Sequence, residues 1–195
     1  PVDMSTALNT AFAISAALYR KARTGKGQRI DVAMMDTAIV MQAAQYSNWL
    51  NQGSLVGLRG NSSPTRQPTA DVFPTSDGFI QVTALRQTQA EALFREIGIS
   101  DLLDQADFET PEARMNKPEL TVEAVSNALQ QATTREWMQR LAPLGIPVAE
   151  VRELPEVVKD SQFEGRNAFV TMPSPIEAGS TITVAKAGYM TNEDG

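Results

Sequence analysis

The first 50 residues constrain this chain more than any other stretch, because they indicate two helices joined by a glycine turn and a short strand. Residues 4–23 are mostly apolar or small, contain no glycine or proline, and end in the cations Arg20, Lys21 and Arg23. This pattern predicts a helix buried on most sides, with cations at the negative end of its dipole. Asp3 is predicted to be its N-cap and Gly25 its left-handed C-cap.

A strand and a second helix are predicted after the turn. Ile30, Val32 and Met34 alternate with Arg29, Asp31 and Ala33, which is the period of a β-strand. Asp36 is then expected to cap a helix that runs to Leu50. The turn itself contains Gly25 and Gly27, and both are expected to adopt positive φ.

Residues 51–69 interrupt this regular pattern and predict a linker. Gly, Ser, Asn and Pro are frequent and no period is visible. An irregular stretch of this length is usually either functional or a connection between domains.

A small α/β module is predicted over residues 70–151. Residues 70–74 and 79–84 flank an Asp77–Gly78 turn and indicate a β-hairpin. Helices are expected over 87–97, from Pro118 onward and after a capping box at Thr133 and Glu136, with Trp137 in the core. An apolar strand follows at 148–151. A helix beginning near Pro155 and a second hairpin, 168–172 with 181–184, are predicted in residues 152–195.

Composition narrows the chemistry that this chain can perform. The 195 residues contain no Cys and no His, which excludes disulfides, thiolate metal sites and histidine bases. Carboxylates must therefore do any acid–base or nucleophilic work encoded here. No run has the length and apolarity of a membrane span, and no secretion signal is visible, so we expect a cytoplasmic protein with no membrane partner.

The charge distribution argues against nucleic-acid binding. The net charge is −6, but residues 1–30 alone carry +4. The basic cluster, defined as Arg20, Lys21, Arg23 and Lys26, could face a polyanion. The alternative is a solvated helix end, where cations are favoured in any case.

Gly25 and Gly27, which lie beside the basic cluster, do not form a nucleotide-binding loop. A P-loop requires Ser or Thr after its Gly-Lys pair, whereas Gly27 follows Lys26 here. A dinucleotide-binding glycine motif must follow a strand and open a helix, and the predicted order here is the reverse. Helix capping and turn formation explain these glycines better.

Several motifs together resemble family III coenzyme A transferases, the CaiB/BaiF type, which include formyl-CoA transferase, carnitine-CoA transferase and acyl-CoA racemase relatives. The matching segments, which cover nearly the whole chain, are DMST at 3–6, RTGKGQ at 23–28, RIDVAM at 29–34, GNSSP at 60–64, FPTSDG at 73–78, DFET at 107–110, ARMNKPEL at 113–120, REW at 135–137 and LGIPVAEV at 144–151. The resemblance implies an α/β fold and a fragment that lacks the N-terminal Rossmann-like half.

The resemblance also implies a domain organisation. Residues 1–50 would belong to the large domain, 51–69 would be the interdomain linker, 70–151 the small α/β domain, and 152–195 a segment returning to the large domain. A homodimer of interlocked subunits is implied as well, as it is for other family members.

The chemistry implied by the resemblance is CoA transfer between carboxylic acids, with acyl-CoA as the substrate and no metal. Asp3 lies at the position of the catalytic aspartate, which forms covalent aspartyl intermediates. Gly60, Asn61 and Ser62 are the candidates for an active-site lid, and a plain linker is the alternative. From the residues alone, Asp3 is simply a helix N-cap, and one carboxylate could hold both roles.

Two other functions stay open at this stage. Racemases of the same family use an aspartate at this position together with a histidine that would lie upstream of this chain. The downstream motifs FPTSDG and ARMNKPEL resemble transferases more closely. A non-catalytic dimerisation unit is the third reading, and it would have no affinity for CoA.

Overall fold

The computed structural model describes residues 1–55, 57 and 60–185, and the chain divides into two compact units, residues 1–58 and residues 59–195. The first unit is helical, with α1 at Val2–Thr24, α2 at Met34–Met41 and α3 at Ala43–Gln52. The second unit contains all the strands that the described residues form, together with six further α-helices. The predicted α/β class is therefore confirmed.

Gly25 ends α1 as its sequence position predicts. Its φ is 69° and its N–H donates to the Lys21 carbonyl at 2.8 Å, which closes a left-handed C-cap. No atom lies within 4 Å of the position that a Cβ would occupy, so backbone conformation alone requires glycine here. Gly27 does not adopt positive φ, and that part of the prediction was wrong.

Gly25→Val should lower the free energy of unfolding by about 1 kcal/mol or more, because a β-branched residue is strained at positive φ. Gly25→Asn should cost less, since asparagine tolerates this conformation. Thermal unfolding of the two variants checks the prediction, and equal melting temperatures would contradict the C-cap assignment.

Both aspartates predicted as N-caps lie inside their helices instead. α1 begins two residues earlier than expected, so Pro1 occupies the cap position and Asp3 lies in the first turn. α2 likewise begins at Met34, with Ala33 as its cap and Asp36 in its first turn. A carboxylate in the first turn still interacts favourably with the helix dipole, which explains why acidic residues mark both helix starts.

The predicted strand over residues 29–34 is not formed by the described residues. Residues 26–33 contain no regular structure, although Ala33 is extended with φ −105° and ψ 139°. The alternation is present, but a strand also requires a neighbouring strand to satisfy its backbone groups. The predicted second helix is also interrupted, because Gln42, with φ −110° and ψ 24°, separates α2 from α3.

The opening helix is not buried, which corrects the prediction from its apolar sequence. No residue of α1 is buried, and α2 packs beside it within the first unit, with the Asn9 amide donating to the Thr37 hydroxyl at 3.3 Å. A stripe of large apolar side chains is exposed instead, and we call it the α1 stripe: Met4, Leu8, Phe12 and Tyr19. These residues recur at spacings that share one helix face.

The second unit is built on a three-stranded antiparallel sheet with the order β1–β2–β3. β1 is Ala70–Pro74, β2 is Phe79–Thr83 and β3 is Val148–Glu150. The first two strands form the predicted hairpin, with Phe73 paired to Ile80 in register. The third strand follows four α-helices and pairs with β2.

Six α-helices follow β2, and those that begin at residues 87, 118, 134 and 154 start where their sequence signals predict, whereas those at 111 and 161 were not predicted. Their bounds are Gln87–Glu96 for α4, Pro111–Asn116 for α5, Pro118–Leu129 for α6, Thr134–Leu141 for α7, Leu154–Val157 for α8 and Ser161–Gly165 for α9, with 3-10 turns at Ser100–Asp104 and Ala142–Leu144. The capping box of Thr133 and Glu136 opens α7, and the Thr133 hydroxyl lowers the pKa of Glu136. Prolines occupy the first turns of α5, α6 and α8.

One apolar core joins the sheet to α4, α6 and α7. Its fully buried members include Phe73, Ile80, Val82, Leu93, Phe94, Val125, Leu129 and Leu141. Trp137 is 3% exposed and its indole N–H donates to the Leu129 carbonyl at 2.6 Å, which confirms its predicted core position. The second unit thus has the core that the first unit lacks.

The turn of the β1–β2 hairpin is fixed to the start of α7 by Asp77. One carboxylate oxygen accepts from the Thr134 N–H at 2.8 Å, from the Thr134 hydroxyl at 3.1 Å and from the Thr75 hydroxyl at 3.2 Å. The backbone N–H of Thr134 makes the largest contribution to a lowered pKa at Asp77. The SDG part of the FPTSDG motif therefore has a structural role in this unit.

Because the folded-state pKa of Asp77 lies below its ordinary value, its ionised form stabilises the fold. That contribution is present above the unfolded pKa and is lost as pH falls through the folded pKa. Asp77→Asn should therefore destabilise the second unit at neutral pH, and the difference from wild type should shrink as pH falls through the folded-state pKa of Asp77. Denaturant unfolding at several pH values measures this, with Asp101→Asn as a charge-matched control; a pH-independent difference would contradict it.

The last described residues form a β-hairpin, which confirms the second hairpin predicted from the sequence. β4 at Phe169–Pro173 pairs antiparallel with β5 at Thr181–Ala185, and the two strands form a separate sheet. Within the ranges described above, no helix has the length and apolarity needed to cross a membrane.

Candidate active site

Asp3 lies in the first turn of α1 with its side chain exposed. Among the described residues, none forms a hydrogen bond or ion pair with its carboxylate. The first hydrogen bond within the helix runs from the Ser5 N–H to the Pro1 carbonyl at 2.9 Å. The N–H groups of Val2, Asp3 and Met4 therefore have no acceptor within the helix. The unpaired Asp3 carboxylate therefore lies beside free N–H donors at the positive end of a helix dipole.

This arrangement suits a nucleophile and the anion that its attack creates. A carboxylate that is not tied up in an ion pair keeps its oxygens available for attack on a carbonyl carbon. Free N–H groups are the usual donors for an oxyanion that develops in a tetrahedral intermediate. The first turn of α1 contains both elements.

The basic cluster lies at the other end of the same helix. Arg20 donates through one guanidinium nitrogen to the Gly27 carbonyl at 3.2 Å and to the Gln28 side-chain oxygen at 3.1 Å. Seventeen residues separate Arg20 from Asp3, which corresponds to about 25 Å along an α-helix. The structure therefore does not bring the cluster and Asp3 together, and the bonds of Arg20 are those of a cation closing a helix end.

The lid candidates form a turn in the second unit. Gly60 has a φ of 58°, and Asn61 and Ser62 continue the turn. The turn leads into Ser63, whose N–H donates to the Ala70 carbonyl at 3.1 Å next to β1. Movement of this segment as a lid stays a prediction.

Two surface grooves, one in each unit, have carboxylates in their linings. A groove of about 250 Å³ between α1 and α2 is lined in part by Asn9, Asp31 and Asp36. A groove of about 470 Å³ beside α4 and α5 is lined in part by Glu91 and Glu112. In the part of the chain that the structure describes, no group of three or more His, Cys, Asp or Glu residues could hold a metal ion.

Arg114 lies in the second unit and was not singled out by sequence reasoning. It is 1% exposed and donates to the Phe108 carbonyl at 2.5 Å and to the Gln87 side-chain oxygen at 2.7 Å. Burial lowers the pKa of its guanidinium, and the charges of Glu91 and Glu112 oppose that shift. Its position in the ARMNKPEL motif was the only sequence signal, and its role here is to join α4 to the segment before α5.

Comparison with known proteins places the whole chain in one family. The model of CoA-transferase family III matches residues 1–192. The succinate–glutarate CoA-transferase of Agrobacterium fabrum is 27% identical over 92% of this chain and 44% of the relative, and the acetyl-CoA:oxalate CoA-transferase of Acetobacter aceti is 26% identical over 90% and 44%. The chain thus spans less than half the length of these relatives.

A solved structure of a CaiB/BaiF family protein from Brucella suis has the same fold. It superposes with a TM-score of 0.78 at 27% identity, over 94% of this chain and 50% of that protein. The resemblance found in the motifs is thereby confirmed by an independent comparison of coordinates. This chain belongs to CoA-transferase family III.

Proposed function

We propose that the protein carrying this chain transfers CoA from an acyl-CoA to a carboxylic acid, with Asp3 as the nucleophile. The observation that carries this proposal is the family match over residues 1–192. The exposed, unpaired Asp3 carboxylate in the first turn of α1 supports its role. CoA thioesters and carboxylic acids would be the only substrates, and no metal takes part.

The exchange proceeds in two halves. An oxygen of Asp3 attacks the thioester carbonyl and the C–S bond breaks. This step releases the CoA thiolate and forms a mixed anhydride between Asp3 and the donor acyl group. The thiolate then attacks the Asp3 carbonyl and releases the donor acid, which gives an aspartyl-CoA thioester. The acceptor carboxylate attacks the aspartyl-CoA thioester, which releases the CoA thiolate and forms a second anhydride. The thiolate then attacks the acceptor acyl carbon of this anhydride and forms the acceptor acyl-CoA. Asp3 is regenerated as a carboxylate.

Several short covalent steps replace one direct exchange between a carboxylate and a thioester, which is the advantage of nucleophilic catalysis. In each step an oxyanion forms at the attacked carbonyl. The free N–H groups at the start of α1 are the candidate donors for it.

We further propose that the acid that accepts CoA is dicarboxylic. The two curated relatives are named for succinate, glutarate and oxalate, all of which have a second carboxylate. In this proposal the acid keeps one free carboxylate after the other has been converted to a thioester.

The test is a CoA-transfer assay with the protein that carries this chain, using acetyl-CoA as donor and glutarate or succinate as acceptor. Formation of the acceptor thioester, followed by liquid chromatography, is the expected result. Exchange of the α-proton of an acyl-CoA in deuterated water without CoA transfer would identify a racemase instead. Absence of both reactions and of CoA binding would favour a non-catalytic dimerisation unit.

The domain assignment proposed with this function keeps residues 1–50 in the large domain, 51–69 as the linker, 70–151 as the small domain and 152–195 as the returning segment. Homodimerisation is part of the same proposal. The exposed α1 stripe supports it, since contiguous apolar surface on a helix usually contacts another protein surface.

Self-association of this chain is the resulting prediction. Phe12→Glu should reduce the average mass in light scattering, because Phe12 is 76% exposed at the centre of the stripe. Ala106→Glu, which adds the same charge at an exposed position of the second unit, is the matched control. A wild-type chain that is stable and monodisperse as a monomer would contradict the prediction.

A further inference from the structure

Residues 28–32, which we call the joining segment, lie between α1 and α2 and have backbone groups without partners. They belong to no helix or strand. Among the described residues, no hydrogen bond involves a backbone N–H or carbonyl group of this segment. Water can solvate such groups while they are exposed, but a free row of donors and acceptors is also a template on which another strand can pair.

The side chains of the joining segment alternate between two environments, as they do in a β-strand. Ile30 and Val32 are half-buried, whereas Arg29 and Asp31 are exposed. Ala33, which follows the segment, is extended with a φ of −105° and a ψ of 139°. The segment therefore has an apolar inner face and a charged outer face, and the described residues supply no neighbouring strand.

We propose that the joining segment pairs with the same segment of a second copy of this chain, antiparallel and with Ile30 opposite Ile30. The inference rests on the homodimerisation proposed above and names a contact that would hold the two copies together. In this register Arg29 of each copy lies opposite Asp31 of the other. Opposite charges that face each other across an antiparallel pair stabilise it, and two-fold symmetry forms both ion pairs at once.

Charge disfavours the other ways of pairing this segment with itself. An antiparallel pair centred on Asp31 would place two aspartates opposite each other, and one centred on Arg29 would do the same with two arginines. A parallel pair in register would align like charges side by side. A shift that sets Ile30 opposite Arg29 would bring the apolar face of one copy onto the charged face of the other.

Two observations favour a second copy of the chain over an unrelated partner. The charges of Arg29 and Asp31 complement themselves, and their ion pair within one copy spans 3.8 Å between side chains that are 91% and 84% exposed, so it is weak and leaves both available. Phe12 of the α1 stripe lines the same groove as Asp31 and Val32. The joining segment therefore borders the apolar surface for which self-association is predicted.

Sedimentation of the chain and its charge variants tests the inference. Arg29→Asp and Asp31→Arg each place like charges opposite one another twice in the dimer, so each should raise the Kd for dimerisation about 10-fold or more. The double variant Arg29→Asp/Asp31→Arg should restore the wild-type Kd, because it only exchanges the two sides of each pair. Asp101→Arg makes the same charge change at an exposed position of the second unit and should leave the Kd unchanged.

Mixing the two single variants separates pairing from folding. One variant carries two acidic side chains on the joining segment and the other carries two basic ones, so an equimolar mixture should form heterodimers with nearly the wild-type Kd. A variant that merely failed to fold would not recover on mixing.

A cysteine substitution and hydrogen exchange test the backbone register. The chain contains no cysteine, so Ile30→Cys introduces its only thiol. Directly opposed residues of an antiparallel pair have Cα atoms about 4.5–5.5 Å apart, a distance that a disulfide can span. Mild oxidation should therefore crosslink Ile30→Cys but not Asn51→Cys, which places the thiol on exposed α3. Amides of the joining segment should be protected in the wild-type dimer and unprotected in Asp31→Arg.

A Kd that the single charge reversals leave unchanged, or that mixing does not restore, would overturn the inference. Amide protection that persists in a monomeric variant would also overturn it, because the segment would then pair with a strand of the same molecule. A wild-type chain that stays monomeric would reject the homodimerisation itself. CoA transfer is assayed separately, so the failure of the proposed reaction is distinguishable from each of these results.

Discussion

Asp3→Asn should abolish CoA transfer and leave the fold intact. Asparagine has nearly the size of aspartate but is a far poorer nucleophile, so kcat/KM should fall by a factor of about 10⁴ or more. The stability cost should stay within about 1 kcal/mol, because the carboxylate makes no cap bond and loses only its interaction with the helix dipole. Kinetics and thermal unfolding of the same preparation separate the two effects.

The control for this variant is Glu119→Gln, which neutralises an exposed carboxylate at the equivalent place in the first turn of α6. It should retain full activity. Wild type incubated with acyl-CoA should form an adduct at Asp3 that hydroxylamine cleaves, detectable by mass spectrometry. An active Asp3→Asn enzyme without an adduct in wild type would remove Asp3 from the mechanism.

Arg114→Ala should have the largest effect on stability, lowering the free energy of unfolding of the second unit by about 3 kcal/mol or more. The change leaves a cavity where the structure has its largest fully buried side chain. It also leaves the Phe108 carbonyl and the Gln87 side-chain oxygen without their donor. Denaturant unfolding followed by the fluorescence of the buried Trp137 reports on this unit.

Arg95→Ala is the matched control for Arg114→Ala. The Arg95 side chain is 63% exposed and its ion pair with Glu91 spans 3.2 Å at the surface of α4. Pairs of this kind contribute about 0–1 kcal/mol. Equal destabilisation by the two variants would contradict the structural role assigned to Arg114.

The second unit was largely predictable because its signals are local and its core lies within the chain. The hairpin of β1 and β2, the capping box at Thr133 and the core position of Trp137 all followed from turn chemistry and apolar period. These signals are reliable when the surface that an amphipathic element needs is supplied by nearby residues. The family resemblance that the motifs indicated is confirmed by the family model, which matches residues 1–192.

The first unit shows where the sequence alone was insufficient. The alternation in residues 29–34 predicted a strand, but alternation specifies only which side chains share a face and not whether a neighbouring strand is available. Asp3 and Asp36 marked helix starts to within two residues, because carboxylates are favoured both at a cap and in the first turn. The apolar character of α1 predicted burial, whereas burial depends on a partner surface.

The sequence by itself determined the end of α1 at Gly25, the start of α7 at Thr133, which carboxylate stands at the start of α1 and which family the chain resembles, because these depend on neighbours along the chain. Tertiary structure decided that Arg114 is buried, that Asp77 caps a helix 57 positions away and that Arg66 adopts a left-handed conformation. These three outcomes depend on contacts between distant segments or on bonds around a whole loop. No local propensity encodes them.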